Sequence, residues 1–256
     1  MKGKGAPFTL AVDCGGTRLK ACLLDARGAM ASDRVRVLTP YPCPPELFVA
    51  TIADLVAGLP AYDRVSVGLP GLVRHGVVHA TPHYVTEAGP FTPRRPDLVR
   101  AWSDFDVQAA IATALSCPTR AVNDAEMQGL AVVRGKGYEI MLTLGTGLGF
   151  AQFDQGRVLP KVEMSQHPFI KGETYDQRLG NHARKRMGNA KWSRRVARAV
   201  DTLSAVLWWD RLYIGGGNAK HIAAQVADTW GPEIALVPNA AGLLGGARLW
   251  DTPLST

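Results

Sequence analysis

Short apolar runs that end in glycine or proline alternate with amphipathic stretches along most of the chain. In the first half, the apolar runs predict strands at residues 8–12, 18–25, 29–37, 65–68 and 77–79. The spacing of apolar positions predicts helices at 44–58 and 106–115. In the second half the pattern repeats, with strands at 120–122, 140–144, 150–153, 157–159 and 211–214. We therefore interpret the chain as two similar α/β halves.

Two glycine-rich turns are distinctive because each directly follows a predicted strand. The sequence DCGGT occupies residues 13–17, and LGTGLG occupies residues 144–149. Glycines at the end of a strand let backbone N–H groups approach an anion with no Cβ in the way, and the threonine adds a hydroxyl donor. One such turn is a weak signal. Two of them, both containing Gly-Thr, favour a cleft that grips a phosphate chain from two sides over two unrelated turns.

The residues around these turns resemble motifs of the ROK family, in the sugar-kinase branch of the actin/hexokinase superfamily. Residues 13–20 resemble its first phosphate motif, D-x-G-G-T-x-x-K, and residues 142–149 resemble its second. Residues 213–220, with the sequence YIGGGNAK, resemble the adenosine-side motif. The pair Asn123-Asp124 resembles the pair that holds the sugar. The motifs occur in the family's order and cover nearly the whole chain.

The resemblance implies an α/β protein with the two-domain actin/hexokinase-like (ribonuclease H-like) fold and a cleft between the domains. We expect an N-terminal domain at 1–118, a C-terminal domain at 119–240 and a last helix, 241–256, that packs back on the first domain. The stretch 191–220 is most similar to the polyphosphate-dependent glucokinases of the family. The implied activity is transfer of a phosphoryl group from polyphosphate, ATP or both to the 6-hydroxyl of glucose or a similar hexose.

Two other functions stay open for this sequence. One is an ATP-dependent kinase for another sugar, such as fructose, mannose or an N-acylated hexosamine. The other is a sugar-sensing regulator without turnover. ROK repressors carry an N-terminal DNA-binding domain, and only seven residues precede the first predicted strand, which disfavours the regulator. We expect Mg²⁺ as the cofactor, a hexose and polyphosphate or ATP as substrates, and a homodimer.

Asp124 is the candidate catalytic base. It follows a predicted strand and begins a predicted helix, which places a carboxylate at a helix N-terminus. From local sequence alone, an N-cap aspartate without a catalytic role explains the position equally well. The resemblance favours a base that accepts the proton of the sugar 6-hydroxyl, with Asn123 bonded to neighbouring hydroxyls. The residues implied to bind the sugar are Asn123, Asp124, Glu163, Gln166 and Gly71.

The implied phosphate and metal residues surround the two turns. Asp13 is expected to hold Mg²⁺ through water, because this ion gives up its hydration shell reluctantly, and the alternative is an aspartate that stabilises its own turn. Lys20 is either a surface lysine or a structural or phosphate-side residue, and the resemblance favours the latter. The implied phosphate-binding residues are Asp13, Gly15, Gly16, Thr17, Lys20, Gly145, Thr146 and Gly147. The implied residues for the far end of the donor are Gly215, Gly216, Gly217, Asn218 and Lys220.

Two regions depart from the family pattern. Residues 163–168 read EMSQHP where similar relatives often have Glu-Leu-x-His-His-Pro, so Gln166 aligns with the sugar-binding histidine. Glutamine still donates and accepts hydrogen bonds but cannot become cationic. The sequence TPHY at 81–84 stands where the family tends to have Ala-Pro-Asn-Leu, at the start of a proline-rich predicted loop at 84–96. Both differences leave the identity of the hexose open.

The net charge of +7 is unevenly distributed, because residues 177–200 contain no acidic residue and eight basic ones. The segment 191–207 predicts an amphipathic helix. Its apolar arc contains Trp192, Val196, Val200, Leu203 and Leu207, and its cationic arc contains Lys191, Arg194, Arg195 and Arg198. A solvated surface face and a polyanion-binding track both fit this pattern. The missing acids favour the track, and no nucleic-acid-binding motif accompanies it.

Composition further restricts the kind of protein that this sequence can form. A chain of 256 residues with 46 % hydrophobic content supports a substantial core. The four cysteines form no Cys-x-x-Cys pair, so no zinc site is expected, although many ROK proteins carry a cysteine-rich zinc loop. The first apolar strand is too short for a signal sequence or a membrane span. We therefore expect a cytoplasmic protein that binds neither nucleic acid nor a membrane.

Overall fold

Two compact units divide the chain in the computed structural model, which describes residues 7–238 and 241–252. The first unit is Met1–Ala131 together with Gly242–Leu254, and the second is Val132–Ala241. The ends of the predicted domains at 1–6 and 253–256, and residues 239–240, lie outside the described residues. Each unit contains a five-stranded mixed sheet.

The first unit begins with strands and helices in alternation. Its strands are β1 (Thr9–Cys14), β2 (Arg18–Leu24), β3 (Val35–Leu38), β4 (Arg64–Leu69), β5 (Leu72–Arg74), β6 (Val77–Ala80), β7 (Phe105–Asp106) and β8 (Thr119–Asn123). Its helices before the second unit are α1 (Pro45–Val56), α2 (Pro96–Trp102), α3 (Val107–Leu115) and α4 (Asp124–Leu130). The main sheet has the order β3-β2-β1-β4-β8, and β5, β6 and β7 form a small second sheet.

The second unit repeats the arrangement of the main sheet. Its strands are β9 (Tyr138–Leu144), β10 (Leu148–Asp154), β11 (Arg157–Val158), β12 (Pro168–Ile170), β13 (Glu173–Thr174), β14 (Arg211–Gly215) and β15 (Ile234–Leu236). Its helices are α5 (Tyr175–Leu179), α6 (Asn181–Met187), α7 (Asn189–Leu207) and α8 (Ala224–Ala227). The main sheet has the order β11-β10-β9-β14-β15, and β12 pairs with β13.

The two main sheets share one topology. The first strand of each unit, β1 or β9, is antiparallel to the next strand along the chain and parallel to β4 or β14. This confirms the predicted pair of similar α/β halves. The assignment of 120–122 to the second half was wrong, because β8 pairs in parallel with β4 in the first sheet. The predicted domain boundary after residue 118 therefore precedes the division between Ala131 and Val132.

Two local predictions in the first unit need correction. A strand was predicted at 29–37, but β3 begins at Val35. The Asp25 carboxylate accepts the N–H groups of Arg27 at 2.8 Å and Ala29 at 2.9 Å, which closes a turn in front of the isolated bridge of Met30. The second correction is α2, which the sequence analysis missed. Its Pro96 opens the helix, where a missing N–H costs nothing.

Strand β1 is covered on both faces, as expected for a central strand. Leu10 and Val12 belong to the core that contains residues of α1 and α3. Ala11 belongs to a second cluster with Leu243 and Ala247 of the last helix, α9 (Ala241–Arg248). The helix approaches closely here, because a Cβ on Gly246 would lie 2.9 Å from the Ala11 Cβ. The last helix is thus part of the first unit's core.

Helix α7 has the apolar face that the sequence predicts. Trp192, Val196, Val200 and Leu203 are buried in the core of the second unit, and Leu207 packs at its edge. The Trp192 indole N–H donates to the Leu179 carbonyl at 2.9 Å, which ties α7 to α5. Among the described residues, no helix has both the length and the apolar character that a bilayer crossing requires.

Candidate functional site

The first glycine loop, residues 14–18, joins β1 to β2. It is a tight turn in which the Gly15 N–H donates to the Arg18 carbonyl at 3.0 Å. Gly16 is buried against the ring of His83, because a Cβ at this position would lie 2.9 Å from two ring atoms. Thr17 is exposed at the tip. A glycine is therefore required at position 16 for close packing, and the threonine is the exposed residue of the turn.

Asp13 and Lys20 stand opposite each other at the start of this loop. They are register partners in the β1–β2 pair, and the Lys20 ammonium lies 2.8 Å from the Asp13 Oδ2. Both side chains are mostly buried, with exposed fractions of 27 % for lysine and 18 % for aspartate. The structure thus brings two predicted phosphate and metal residues together as an ion pair. This pairing was not foreseen, because the antiparallel register was unknown from the sequence.

The donor set at Asp13 is compatible with Mg²⁺ held through water. Among the described residues, no group of three or more His, Cys, Asp or Glu side chains is arranged to hold a metal ion. Mg²⁺ commonly uses one or two carboxylates and keeps several waters, so a single aspartate is a sufficient protein ligand.

Asn123 and Asp124 lie where β8 ends and α4 begins. Asn123, rather than Asp124, is the N-cap, and its side-chain oxygen accepts the Ala125 N–H at 2.9 Å. Glu126 completes a capping box by accepting the Asn123 N–H at 3.0 Å. Asp124 is the first residue of the helix and is half-buried. Asn123 therefore provides the N-cap, and the Asp124 Oδ1 also accepts the Ala125 N–H at 2.9 Å.

Asn123 also fixes the position of Gly71, another predicted sugar residue. Its amide nitrogen donates to the Gly71 carbonyl at 3.0 Å, and the side chain is almost fully buried. Gly71 has a φ of 118° and lies so close to β6 that a Cβ would come within 2.2 Å of the Ala80 carbonyl oxygen. Asn123 thus holds this turn together beside Asp124.

His83 is a residue of this region whose contact the sequence analysis missed. It is 7 % exposed, and burial lowers the pKa of its imidazole to about 4. Its ring contacts Gly16 and lies edge-to-face with Phe91, with 6.5 Å between the ring centroids. The departure of TPHY from the family pattern was the only signal at this position. A neutral imidazole therefore backs the first glycine loop.

The second glycine loop, residues 145–147, joins β9 to β10. The Gly145 carbonyl accepts the Asn181 N–H at 3.0 Å and the Asn218 amide at 2.7 Å. The Asn218 backbone N–H also donates to the Leu144 carbonyl at 2.8 Å. The structure thus brings a residue predicted for the far end of the donor next to the loop predicted for its phosphates. Gly215, Gly216 and Gly217 lead from β14 into this contact.

Asp176 is a buried carboxylate beside the second loop that the sequence analysis missed. Its Oδ1 accepts the Leu148 N–H at 2.8 Å, and a Cβ on Gly147 would lie 1.6 Å from the same oxygen. Burial raises its pKa to about 6; the Leu148 hydrogen bond lowers the pKa and the nearby Glu163 raises it. The Thr174–Gln177 capping box marks the start of α5, and this sequence pattern could have placed Asp176 in the first turn of a helix.

Glu163 precedes a short 3₁₀ turn, Met164–Gln166, and Gln166 is the last residue of that turn. Glu163 is half-buried and accepts the Ser165 hydroxyl at 2.6 Å. Gln166 is exposed, and its amide donates to the same hydroxyl at 3.0 Å. Ser165 therefore links the two predicted sugar residues, and the Glu163 charge influences Asp176.

The cationic arc of α7 is exposed with one exception. Lys191, Arg194 and Arg198 are exposed, as predicted. Arg195 is half-buried, and its guanidinium donates to the Arg178 carbonyl at 3.5 Å, so it departs from the predicted face. Lys220 is exposed in the 3₁₀ turn Ala219–His221. The exposed cationic surface thus comprises Lys191, Arg194 and Arg198, which we call the α7 cationic face.

A groove of about 390 Å³ lies elsewhere in the second unit, at the C-terminal end of α7. Trp208, Trp209 and Trp230 line it together with Asp201 and Glu233. It contains none of the residues predicted to bind a sugar, a phosphate or a metal. The candidate residues therefore lie at the glycine loop of each unit and not at this groove.

Comparison with known proteins points to one family. The family model described as "ROK family" matches residues 9–159. The polyphosphate glucokinase of Mycobacterium tuberculosis is 28 % identical over 254 residues, which cover 92 % of this chain and 88 % of the relative. The inorganic polyphosphate/ATP-glucomannokinase of Arthrobacter sp. strain KM superposes with a TM-score of 0.78 at 28 % identity, over 96 % of this chain and 98 % of its own. A ROK family glucokinase from Streptomyces griseus, solved with glucose and AMPPNP, has a TM-score of 0.76 at 18 % identity and supports the fold, over 94 % of this chain and 98 % of its own.

Proposed function

Because this chain belongs to the ROK family and is a phosphotransferase of the hexokinase type, we propose that it phosphorylates glucose or a similar hexose at the 6-hydroxyl. The proposed donor is inorganic polyphosphate, ATP or both. The observation that carries the proposal is the equivalence of the two glycine loops. Each joins the first strand of its sheet to the antiparallel neighbour, β1 to β2 and β9 to β10.

Asp124 is the proposed base for the attacking hydroxyl. It sits in the first turn of α4, where the N-cap is already provided by Asn123, and it is half-buried. Its Oδ1 accepts the Ala125 N–H at 2.9 Å, which orients the carboxylate, and a carboxylate oriented in this way can accept a proton from a substrate hydroxyl. Asn123 supports it by holding the Gly71 turn, and direct contact with sugar hydroxyls is proposed for Asp124, Glu163 and Gln166.

Asp13 is the proposed protein ligand of Mg²⁺, through water. When bound, the ion would neutralise charge on the phosphate groups of the donor. Lys20 holds the Asp13 carboxylate in place at 2.8 Å. The N–H groups and hydroxyls of the two glycine loops supply the remaining donors for phosphate oxygens, and Asn218 supports the second loop.

The α7 cationic face is the proposed binding surface for the distal part of a polyphosphate chain. Its three cations share one exposed side of a helix whose opposite side is anchored in the core. A polyanion engages several such charges at once, whereas ATP carries fewer phosphates.

The direct test is a coupled assay of a small sugar panel, run in parallel with ATP and with long-chain polyphosphate. We expect turnover with glucose or a similar hexose and with at least one of the two donors. Absence of turnover with every pair, from protein shown to be folded, would contradict the proposed activity and favour a sugar-sensing role.

Asp124→Asn tests the base. We expect turnover to fall by roughly 10²-fold or more, the usual scale for a positioned acid or base, while sugar binding is kept. Asp106→Asn is the matched control, because Asp106 is an aspartate at a helix start whose carboxylate only caps Ala109, at 2.8 Å. Near wild-type turnover in Asp124→Asn would remove Asp124 from this role.

Neutralising Lys191, Arg194 and Arg198 together to glutamine tests the donor surface. We expect a higher KM for long polyphosphate, a steeper effect at low salt, and little change in the KM for ATP, because exposed charges are screened over roughly 10 Å at 0.1 M salt. Neutralising the exposed Arg27, Arg100 and Arg157 gives a charge-matched control. Equal effects on both donors would leave the α7 cationic face as a solvated surface.

A further inference from the structure

Three consecutive carbonyl groups of the first glycine loop each accept a side-chain hydroxyl. Tyr84 donates to the Cys14 carbonyl at 3.1 Å, Thr39 to Gly15 at 2.8 Å, and Tyr41 to Gly16 at 2.7 Å. The Thr39 backbone N–H also donates to the Thr17 carbonyl at 3.1 Å. The loop is thus held by residues that follow β3 and by the loop that contains His83.

This anchoring determines where the loop's N–H groups point. In a planar trans peptide the carbonyl and the N–H point in opposite directions. The Gly15 carbonyl shares its peptide with the Gly16 N–H, and the Gly16 carbonyl shares its peptide with the Thr17 N–H. Hydroxyls on these two carbonyls therefore direct both N–H groups to the other side of the loop. In the described part of the chain, the Gly16 N–H meets no acceptor.

Glycine makes this support necessary. Peptides that flank glycine rotate at little steric cost, and a flipped Gly16 peptide would present a carbonyl oxygen where an N–H is needed. An oxygen in that position repels an anion. Two hydroxyl contacts to adjacent peptides prevent such a rotation.

The hydroxyls themselves are well fixed. Thr39 is 6 % exposed and Tyr84 is fully buried, with its ring 5.0 Å from Phe48 and 5.1 Å from Trp102 between centroids. Tyr41 is half-buried, and burial raises the pKa of its phenol, so the group stays protonated and remains a donor. The core thus determines the positions of the hydroxyls, and these fix the carbonyls of the loop.

We propose that Thr39 and Tyr41 are positioning residues that aim the Gly16 and Thr17 N–H groups at a phosphate group of the donor. Their role rests on the proposed function, because it assigns the first glycine loop to phosphate. Neither side chain touches the phosphate. Each acts through the carbonyl that it holds, so its removal weakens anion binding without changing the sugar contacts.

The sharpest test compares two variants at one position. Thr39→Val removes the hydroxyl at nearly constant volume, and Thr39→Ser keeps it. We expect Thr39→Val to raise the KM for the phosphoryl donor roughly five- to tenfold, the scale of one hydrogen bond, with the sugar KM nearly unchanged. Thr39→Ser should stay close to wild type. Tyr41→Phe should behave like Thr39→Val.

Tyr62→Phe is the control for loss of a tyrosine hydroxyl, because Tyr62 packs at the edge of the same core and its hydroxyl makes no hydrogen bond within the described residues. It should leave both KM values unchanged. Thermal unfolding of every variant shows whether an effect on KM comes from a general loss of structure. A sugar KM that rises as much as the donor KM would overturn the positioning role.

A calorimetric titration with inorganic tripolyphosphate, without sugar, separates this proposal from the proposed function. Tripolyphosphate binding that weakens in Thr39→Val but not in Thr39→Ser supports the positioning role even if the wild type transfers no phosphoryl group. Equal affinities in the two variants overturn it even if the wild type is an active kinase. Failure of the wild type to bind tripolyphosphate also overturns it.

Discussion

The two glycine loops occupy equivalent places in their sheets but pack against side chains of different chemistry. In the first loop, Gly16 lies against the His83 ring, and a Cβ added to Gly16 would lie 2.9 Å from that ring. In the second loop, Gly147 lies against the Asp176 carboxylate, and a Cβ added to Gly147 would lie 1.6 Å from the Asp176 Oδ1. Position 147 is therefore packed more tightly than position 16, and Gly147 faces the carboxylate that also accepts the Leu148 N–H.

Burial favours the neutral form of both neighbours, with opposite consequences for charge. It lowers the pKa of His83 to about 4, so this side chain is uncharged near neutral pH. It raises the pKa of Asp176 to about 6, so this side chain still ionises near neutral pH but at a cost. Two loops of similar sequence are thus supported by an imidazole in one unit and by a carboxylate in the other. The loop motif does not determine what lies behind it.

The largest effect is expected for Gly147→Ala. The added Cβ would displace the buried Asp176 carboxylate and break its bond to Leu148, so we expect a loss of roughly 3 kcal/mol in the free energy of unfolding. Urea unfolding at pH 7 measures it. Gly145→Ala is the control in the same loop, because a Cβ there meets nothing within 4 Å. The loss of stability in Gly16→Ala should lie between those of the other two variants. A smaller loss in Gly147→Ala than in Gly16→Ala would show that position 147 is not the more tightly packed of the two.

Much of the fold was predictable because it depends on local pattern. The strand before each glycine loop, the apolar face of α7 and the repetition of an α/β half all follow from apolar spacing and turn residues. The pairing of β8 with β4 did not follow, because parallel strands far apart in sequence share no local signal. Helix α2 was missed for another reason, since its opening proline reads as a loop residue until the helix behind it is seen.

The candidate site was predictable to the extent that it lies in motifs. The two glycine loops were identified from their place at strand ends, and Asn123 and Asp124 were identified from the resemblance to the ROK family. The neighbours that support them were not found. Asp176 and His83 reach the loops from elements whose position depends on tertiary packing, and Lys20 meets Asp13 only through the antiparallel register of β1 and β2. Sequence motifs identify the glycine loops, but the side chains that pack against these loops are seen only in the three-dimensional structure.

His83 should make stability sensitive to acid. Its pKa is lowered from 6.5 to about 4 on folding, so the unfolded chain binds the extra proton between these values. The contribution of His83 is complete above pH 6.5 and is lost as the pH falls towards 4, by up to roughly 3 kcal/mol. His83→Asn should flatten this part of the stability profile, measured by urea unfolding between pH 4 and 7. An unchanged slope would show that the imidazole titrates freely in the folded protein.

Asp176 should change the free energy of unfolding with pH in the opposite direction to His83, and by a somewhat smaller amount. Its pKa is raised from 3.8 to about 6, so here the folded chain binds the extra proton, and stability falls as the pH rises through this range. The pKa shift corresponds to a destabilisation of at most roughly 3 kcal/mol, and this destabilisation is complete above pH 6. Asp176→Asn keeps an oxygen for the Leu148 N–H and removes the charge. Relative to wild type, it should therefore gain stability between pH 4 and 6 and keep that gain at pH 7. A variant that is less stable than wild type at pH 7 but equal to it at pH 4 would show that the ionised carboxylate stabilises the second loop, and the contrast with His83 would then disappear.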